Sequence, residues 1–532
     1  MKIVEPKLLF FLLLFISCNN SGQSNHSLQT NNTGTSQKIR NVAGNFSNQQ
    51  KIKFDADKIS VFFIKYPQLN KVKKELDSFY YSRQYTFAWF DEKGMIEQAG
   101  NLYNHIQNTS NEGISNKLIY ETAFAAMMGD GNADSLNVQT EIMLTAQYFV
   151  YAKTVWAGLS EKETQGINWY IPRKKISYSL LLDSLINGKD VLDSAPIYRQ
   201  YGLLKNQLRK YEEISRAGGF PIIESINRSL KKGDSSSTIV EIKKWLFIAG
   251  DLTENSTTII FDDNLEAAVK KMQARFGLTA DGNINAAVIK EMNVPLTTRV
   301  QQVMVNMERS RWVPMSISND YLVVNIPEFK LHAYEHDSLI WSMEAVVGKP
   351  IHKTVIFSGK IKYVVFSPYW NVPPSILQKE ILPGIRRNKN YLARQNMEWN
   401  NGQVRQRSGP KNALGFVKFL FPNEYKIYLH DTPSKSLFSE ASRAFSHGCV
   451  RLSDAEKLAN YLLKNDDGWT PQKINEAMHL GKEEFVTVKK SETVFIVYFT
   501  AWVDAEGQLN FRKDLYARDA RLAEMLIENA AH

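Results

Sequence analysis

The periodicity of the apolar residues changes near residue 320, and this change most constrains how the chain can fold. From about 55 to 220, apolar and aromatic residues recur every three or four positions, as in EIMLTAQYFVYAKTVWAGL, which is typical of packed helices. From 321 onward the pattern alternates with a period of two and is rich in β-branched and aromatic residues, which predicts strands. The chain has 532 residues, enough for several domains, so we expect a multidomain α+β protein.

The helical region, residues 55–220, is predicted to form a scaffold domain. Trp89 and Trp156 fall within its periodic segments. Large aromatic side chains at helical spacing usually fill a core, so we expect both to be packing residues rather than cofactor contacts.

A smaller unit is predicted at residues 225–300. Asp263, with Glu266 three positions later, is typical of a capping box at the start of a helix, and Asn285 is predicted to begin a second short helix. The sequence VKKMQARFGLTADGNINAAVIKEMNV in this unit resembles the peptidoglycan-binding module of cell-wall enzymes. A structural spacer that binds no ligand is the alternative.

The β-rich region, residues 320–532, contains one long stretch without clear periodicity, Pro373–Pro422. An insertion of this length in a compact domain is usually functional or disordered. We expect a basic lid beside the active site; a solvated surface loop is the alternative. Between Lys379 and Lys411, only Glu380 and Glu398 oppose the basic residues, which are Lys379, Arg386, Arg387, Lys389, Arg394, Arg405, Arg407 and Lys411.

The N-terminus predicts export. Residues 1–17, MKIVEPKLLFFLLLFIS, combine basic residues with an apolar run too short to span a bilayer as a mature helix, which is typical of a signal peptide. Cys18 follows in a context that resembles a bacterial lipobox, and residues 18–54 are predicted to be a lipidated cysteine and a flexible tether. An ordinary signal peptide cut nearby, or an uncleaved anchor, is the alternative. We therefore expect a periplasmic lipoprotein anchored in the outer membrane.

The net charge of +10 favours an anionic partner. A nucleic acid would explain this charge but not the export signal, so we expect none. An anionic wall polymer is compatible with both features.

The sequence FSHGCVRL at 445–452 holds Cys449, one of only two cysteines in the chain. If Cys18 carries lipid, Cys449 has no partner for an intrachain disulfide, which marks it as a candidate reactive thiol. A thiol needs a lowered pKa or a nearby base to attack well, and the base is usually histidine. His447 lies two residues before Cys449, and His430 ends a predicted strand nineteen residues before it. The sequence leaves both candidates open.

The neighbours of this cysteine fit acyl transfer. Gly448 allows close backbone approach, and the amides of Gly448 and Cys449 could form an oxyanion hole. Arg451 offers a planar fork for a carboxylate. Each residue alone is more often structural, but their combination with export favours catalysis. A zinc site fits poorly, because Cys449 is the only cysteine near these histidines.

YLHDTP at 428–433, followed by FSHGCVRL, resembles the signature of the L,D-transpeptidases, cysteine enzymes that cross-link peptidoglycan. The resemblance implies a helical N-terminal scaffold, a small helical peptidoglycan-binding-like module and a β-rich, sandwich-like catalytic domain with a capping insertion at 373–422. No metal or organic cofactor is expected.

The resemblance also implies roles for single residues. Cys449 would attack the carbonyl between the third and fourth residues of a tetrapeptide stem, and the acyl group would pass to a second stem as a 3→3 cross-link. His430 would be the base and then the acid, with Asp431 as a carbonyl or carboxylate partner. The other roles are assistance by His447, oxyanion binding by Gly448 and Cys449, and substrate binding by Ser446 and Arg451.

Three rival functions remain open. An L,D-carboxypeptidase would use the same residues with water as the acceptor. An enzyme that attaches proteins to peptidoglycan would use a lysine side chain instead. A non-catalytic wall-binding lipoprotein, built on residues 225–300, would leave Cys449 unreactive. The sequence does not specify the acceptor or the oligomeric state.

Overall fold

The computed structural model describes residues 52–109, 119–129, 136–192, 197–314 and 320–531. The predicted signal peptide, the predicted lipidation site Cys18 and most of the tether lie outside these ranges. Within them, no helix is both long and apolar enough to cross a membrane.

The scaffold region is built around one buried helix. This helix, α5, is buried on nearly all sides and contacts α1, α2, α3 and α4, so its sequence is apolar around most of its circumference. Trp89 and Trp156 are almost fully buried in the same core, as predicted. The elements of this region are α1 (Asp57–Lys65), α2 (Lys73–Ser82), β1 (Phe90–Asp91), β2 (Gly94–Met95), α3 (Glu97–Gln107), α4 (Glu121–Met128), α5 (Val138–Tyr151), β3 (Trp169–Tyr170), α6 (Tyr178–Ile186) and α7 (Gln200–Arg216).

The 225–300 unit consists of α8 (Thr238–Ala249), α9 (Asp263–Arg275) and α10 (Ala286–Met292), and α11 (Leu296–Trp312) follows it. The predicted cap of α10 is confirmed, because the Asn285 side chain accepts hydrogen bonds from two amides of its first turn. The predicted cap of α9 is wrong by one residue. Asp262, not Asp263, is the N-cap, and its carboxylate accepts from the amide of Leu265.

The strands predicted after residue 320 are present, and most join one twelve-stranded sheet. The strands are β4 (Tyr321–Asn325), β5 (Lys330–Glu335), β6 (Ser338–Gly348), β7 (Ile356–Lys360), β8 (Tyr363–Phe366), β9 (Trp370–Asn371), β10 (Met397–Asn400), β11 (Gln403–Gln406), β12 (Val417–Leu420), β13 (Leu429–His430), β14 (Ala444–Ser446), β15 (Val450–Leu452), β16 (Glu484–Thr487), β17 (Thr493–Val497), β18 (Ala501–Val503) and β19 (Leu509–Phe511). The remaining helices are α12 (Pro374–Ile376), α13 (Leu382–Arg387), α14 (Tyr391–Arg394), α15 (Ala455–Leu463), α16 (Pro471–His479) and α17 (Asp519–Ala531). The predicted α+β class is confirmed.

The strand order shows which strands lie at the centre of the main sheet. It runs β16-β8-β12-β13-β15-β6-β5-β4-β17-β7-β3, and β14 pairs with β6 off this path. The strand β3 comes from the scaffold region and pairs in parallel with β7, so the scaffold supplies one edge of the sheet. The central strands β13 and β15 are flanked on both sides, which leaves them little freedom to move.

The C-terminal hairpin leaves this sheet. Residues 484–511 form four strands, and the turn at 504–507 joins β18 to β19. Side chains of Ala501 and Phe511 pack in the core of the 225–300 unit. The Gln200 side-chain amide exchanges hydrogen bonds of 2.7 and 2.9 Å with the backbone of Val503. The hairpin therefore joins α7 and the 225–300 unit to the β-rich region.

The expectation of an irregular insertion at 373–422 is wrong. The segment contains α12, α13, α14, β10 and β11. The strand β11 also pairs with β9, which lies just before the segment, and Val372, Ile381 and Val404 form a small core of their own. The last part of the segment, β12, belongs to the main sheet between β8 and β13, so the insertion ends before Val417. The sequence did not predict these elements, because each is too short to show a helical or strand periodicity of apolar residues.

Candidate active site

Cys449 lies in a three-residue loop between two strands of the main sheet. The strand β14 before the loop runs parallel to β6, and β15 after it runs antiparallel to β6. The chain must turn sharply here, and Gly448 takes a φ of +120°, which L side chains rarely adopt. Cys449 is partly exposed and is the one free cysteine among the described residues.

The strand β13 brings His430 beside this loop. It pairs in parallel with β15, with His430 opposite Arg451. Opposite residues in a parallel pair share a face, and so do residues two apart along a strand. Tyr428, His430, Cys449 and Arg451 therefore meet on one face of the sheet. The rings of Tyr428 and His430 lie 5.6 Å apart.

His430 is held as a neutral base. Its Nδ1 lies 2.5 Å from the backbone carbonyl oxygen of Asp431, so Nδ1 carries the proton and Nε2 is the basic nitrogen. Burial, and then the charge of Arg451, lower the pKa of His430 to about 3. The Asp431 carboxylate instead accepts from the amide of Phe416 and from Lys435. Of the two predicted forms of this partner, the structure contains the carbonyl.

Burial raises the pKa of the Cys449 thiol. Hydrogen bonds with the backbone and the phenol of Tyr428, and the charge of Arg451, oppose that rise. The sulfur also lies 3.7 Å from the carbonyl oxygen of Lys426. At rest, therefore, the thiol is protonated and the neighbouring imidazole is neutral. The imidazole can then accept the thiol proton as the sulfur attacks.

Arg451 lies on the same face of the sheet, and part of its guanidinium group makes no hydrogen bond to a described residue. Its Nε is buried and has no hydrogen-bond partner among the described residues. A buried donor without a partner is costly, which favours an anionic ligand at this position.

The structure places His447 differently from His430. It lies in the loop rather than on a strand, its side chain is 40% exposed, and its Nε2 is 3.2 Å from Oε1 of Glu380 in the capping insertion. Burial lowers the pKa of His447, and the Glu380 carboxylate opposes this shift. The insertion therefore lies beside the loop, and its role as a lid stays a prediction.

The two predicted oxyanion donors are not equivalent. The Gly448 amide donates to the Ser446 hydroxyl at 3.1 Å, and that hydroxyl donates to the Cys449 carbonyl at 2.6 Å. Ser446 is buried, which places it beneath the loop rather than on the surface that a substrate would touch. The Cys449 amide has no acceptor within the described part of the chain, and it is the donor left available.

Sequence reasoning missed Tyr428, Glu380 and Thr354, whose hydroxyl donates to the Gly448 carbonyl at 2.8 Å. Tyr428 could have been found, because it lies two residues before His430 on a predicted strand. Glu380 and Thr354 are 69 and 95 residues before Cys449, and no local pattern links them to it. The described residues contain no group of three or more His, Cys, Asp or Glu that could hold a metal ion.

Comparison with known proteins places three domains on the chain. Family models match residues 319–475, described as "L,D-transpeptidase catalytic domain", residues 74–208, "Scaffold domain", and residues 235–292, "Putative peptidoglycan binding domain". The catalytic match contains both strands that meet at the candidate site.

A curated relative from Haemophilus influenzae, named "Putative L,D-transpeptidase", is 31% identical over 254 residues. The match covers 44% of this chain and 50% of the relative, so the chain spans half the length of the curated relative it matches.

Solved structures matched by the comparison include two L,D-transpeptidases. The protein from Stackebrandtia nassauensis is 15% identical over 50% of this chain and 94% of that chain, with a TM-score of 0.23. The protein from Xylanimonas cellulosilytica is 13% identical over 52% of this chain and 100% of that chain, with a TM-score of 0.18. TM-scores this low do not establish a shared fold. The family prediction is confirmed by the matched domains for the residues they cover: residues 319–475 match the L,D-transpeptidase catalytic domain, and two earlier segments match a scaffold domain and a putative peptidoglycan-binding domain.

Proposed function

We propose that the protein cross-links peptidoglycan stem peptides by 3→3 transfer through a thioester on Cys449. The observation that carries this proposal is the register of β13 and β15, which puts a thiol and a neutral imidazole on one face of the sheet. The peptidoglycan-binding domain supports the wall polymer as the substrate.

In the first half-reaction, Sγ of Cys449 attacks the carbonyl between the third and fourth residues of a tetrapeptide stem. The thiol proton passes to Nε2 of His430 as the sulfur–carbon bond forms. The carbon–nitrogen bond then breaks, and the terminal D-amino acid leaves as an amine that takes the proton from His430. The Cys449 amide donates to the oxyanion formed between these steps.

In the second half-reaction, the side-chain amine of the diamino acid on a second stem attacks the thioester. His430 accepts the proton that this amine loses and returns it to the departing sulfur. The product is an amide between two third-position residues, and the thiol is regenerated. Arg451 binds a stem carboxylate during both steps, since it lies opposite His430 and its buried Nε has no partner among the described residues.

The proposed location is the periplasm, with lipid on Cys18 in the outer membrane and residues 19–54 as the tether. This part of the proposal rests on the sequence alone. It is compatible with a substrate that lies outside the cytoplasm.

The test uses the full chain in mild detergent, beside its Cys449→Ala and His430→Ala variants. Each is incubated with purified tetrapeptide muropeptides, and the products are weighed by mass spectrometry. Cross-linked dimers that require both residues support the proposal. Tripeptides without dimers would replace it with L,D-carboxypeptidase activity, and no product from the wild type would overturn it.

A further inference from the structure

The carbonyl of Gly448, directly before Cys449, is held by one buried hydroxyl. Thr354 is fully buried, and its Oγ1 donates to the Gly448 oxygen at 2.8 Å. The same Oγ1 accepts from the amide of Gly348, the last residue of β6, at 2.9 Å. A hydroxyl has one proton to donate, so this pair of bonds fixes its direction as well as its position.

Thr354 is in turn held by a residue from the C-terminal segment. The phenol of Tyr516 accepts from the Thr354 amide at 3.2 Å and donates to the Gly348 carbonyl at 2.7 Å. Tyr516 is 2% exposed, and its own amide donates to the Tyr498 phenol at 2.6 Å. Tyr516 lies beyond residue 475, where the match to the catalytic domain ends. The loop around Cys449 therefore depends on a segment outside that match.

The geometry of a peptide bond gives these contacts a consequence for Cys449. The Gly448 carbonyl and the Cys449 N–H belong to one planar trans unit, and they point in opposite directions. A hydroxyl that fixes the carbonyl thus also fixes the direction of the N–H. Among the described residues this N–H meets no acceptor, and it points away from Thr354.

The geometry points to Thr354, braced by Tyr516, as a positioning residue that aims the Cys449 N–H at the oxyanion. This inference rests on the proposed acyl transfer and deepens it. Thr354 touches neither the sulfur nor the substrate. It acts through the Gly448–Cys449 peptide, whose glycine would otherwise allow that unit to rotate.

Two reactions of the same sulfur separate positioning from general stability. With p-nitrophenyl acetate, a sulfur–carbon bond forms, the ester carbon–oxygen bond breaks, p-nitrophenolate leaves, and an oxyanion forms on the way. With iodoacetamide, a sulfur–carbon bond forms and iodide leaves, and no oxyanion forms. A misdirected Cys449 N–H should slow the first reaction and leave the second unchanged.

The expected result for Thr354→Val in the full chain is acylation slowed about 10- to 100-fold, because losing one oxyanion donor typically costs about 10²–10³-fold and a misdirected donor retains part of its effect. Alkylation should stay within about twofold of the wild type. Thr354→Ser, which keeps the hydroxyl, should restore the acylation rate to within about threefold of the wild type. Tyr516→Phe should lower the ratio of acylation rate to alkylation rate by a smaller factor than Thr354→Val.

The matched control is Thr145→Val in the scaffold. Thr145 is also fully buried, and its hydroxyl is bonded to the Tyr80 phenol and the Trp89 indole at 2.6 and 2.8 Å. It should leave the ratio of acylation to alkylation unchanged. If Thr354→Val fails to fold by circular dichroism, Tyr516→Phe decides. An unchanged ratio in the deciding variant overturns the inference, whereas a wild type that is alkylated but never acylated overturns the proposed function itself.

Discussion

The sheet face around Cys449 and the capping insertion beside it are built in opposite ways. On the sheet face, the register of β13 and β15 places His430 beside Cys449, the residue directly before β15, and His430 is only 4% exposed. The insertion has its own small core, and it contacts the Cys449 loop through the side chains of Glu380 and His447, both substantially exposed. Strand pairing holds side chains rigidly, which suits residues that take part in bond making. A contact between exposed side chains is weaker, which suits a segment that moves. We therefore expect large effects from the sheet face and small ones from the insertion.

The largest effect should come from Cys449→Ser. A hydroxyl is much less acidic than a thiol and is a weaker nucleophile beside the same imidazole, so cross-linking should fall by at least about 10⁴-fold. The rate of dimer formation by mass spectrometry measures this, with substrate binding by calorimetry as the control. Activity within tenfold of the wild type would mean that another nucleophile acts.

The next effect separates the two histidines. His430→Gln should lower kcat by about 10²–10⁴-fold, the usual range for a general base, with little change in KM. His447→Gln should lower it by less than about tenfold, because this side chain lies in the loop and not on the strand face. Steady-state kinetics on the same muropeptide compare them. The reverse order would break the comparison, since it would move the base from the sheet to the loop.

The pH profile should show that the base is buried. A lowered pKa means that His430 loses its proton already in acid, so its neutral, active form persists well below pH 6.5. We expect kcat/KM to show no acid limb near pH 6.5. Arg451→Gln removes a charge that lowers this pKa and should move the acid limb upward. An acid limb near pH 6.5 in the wild type that disappears in His447→Gln would identify His447 as the base instead.

The smallest effect should come from the insertion. The Glu380 and His447 side chains are 53% and 40% exposed, and a polar contact between side chains this exposed contributes at most about 1 kcal/mol. Glu380→Gln should therefore change kcat/KM by less than about fivefold, with a smaller change at high salt. Glu398→Gln, which breaks the pairs with Arg405 and Arg407 inside the insertion, is the matched control. A loss above a hundredfold for Glu380→Gln would mean that the insertion takes part in the chemistry.

The sequence predicted the fold where patterns are long. The α5 helix, the strands after residue 320 and the Asn285 cap follow from periodicity or local capping, which depend on neighbours in the chain. The order within the insertion did not follow, because its helices and strands have six residues or fewer. The cap of α9 was misassigned because Asp262 and Asp263 are adjacent and chemically alike.

The candidate site was predictable only in part. The short sequences around His430 and Cys449 carry a specific motif, but the choice between His430 and His447 required the register of β13 and β15. The contacts of Thr354 and Tyr516 connect residues 162 positions apart, and they depend on how the C-terminal segment packs. Contacts of this kind come from tertiary packing and leave no local signal.

The measurement that tests the central claim most directly is the mass of the enzyme during turnover. The full chain is mixed with a tetrapeptide muropeptide without an acceptor, quenched in acid within seconds and digested for peptide mapping. We predict that the peptide containing Cys449 carries the stem without its terminal residue, as a thioester that hydroxylamine releases. A stem found on another residue, or product formed while Cys449 stays unmodified and blocked by iodoacetamide, would contradict the account.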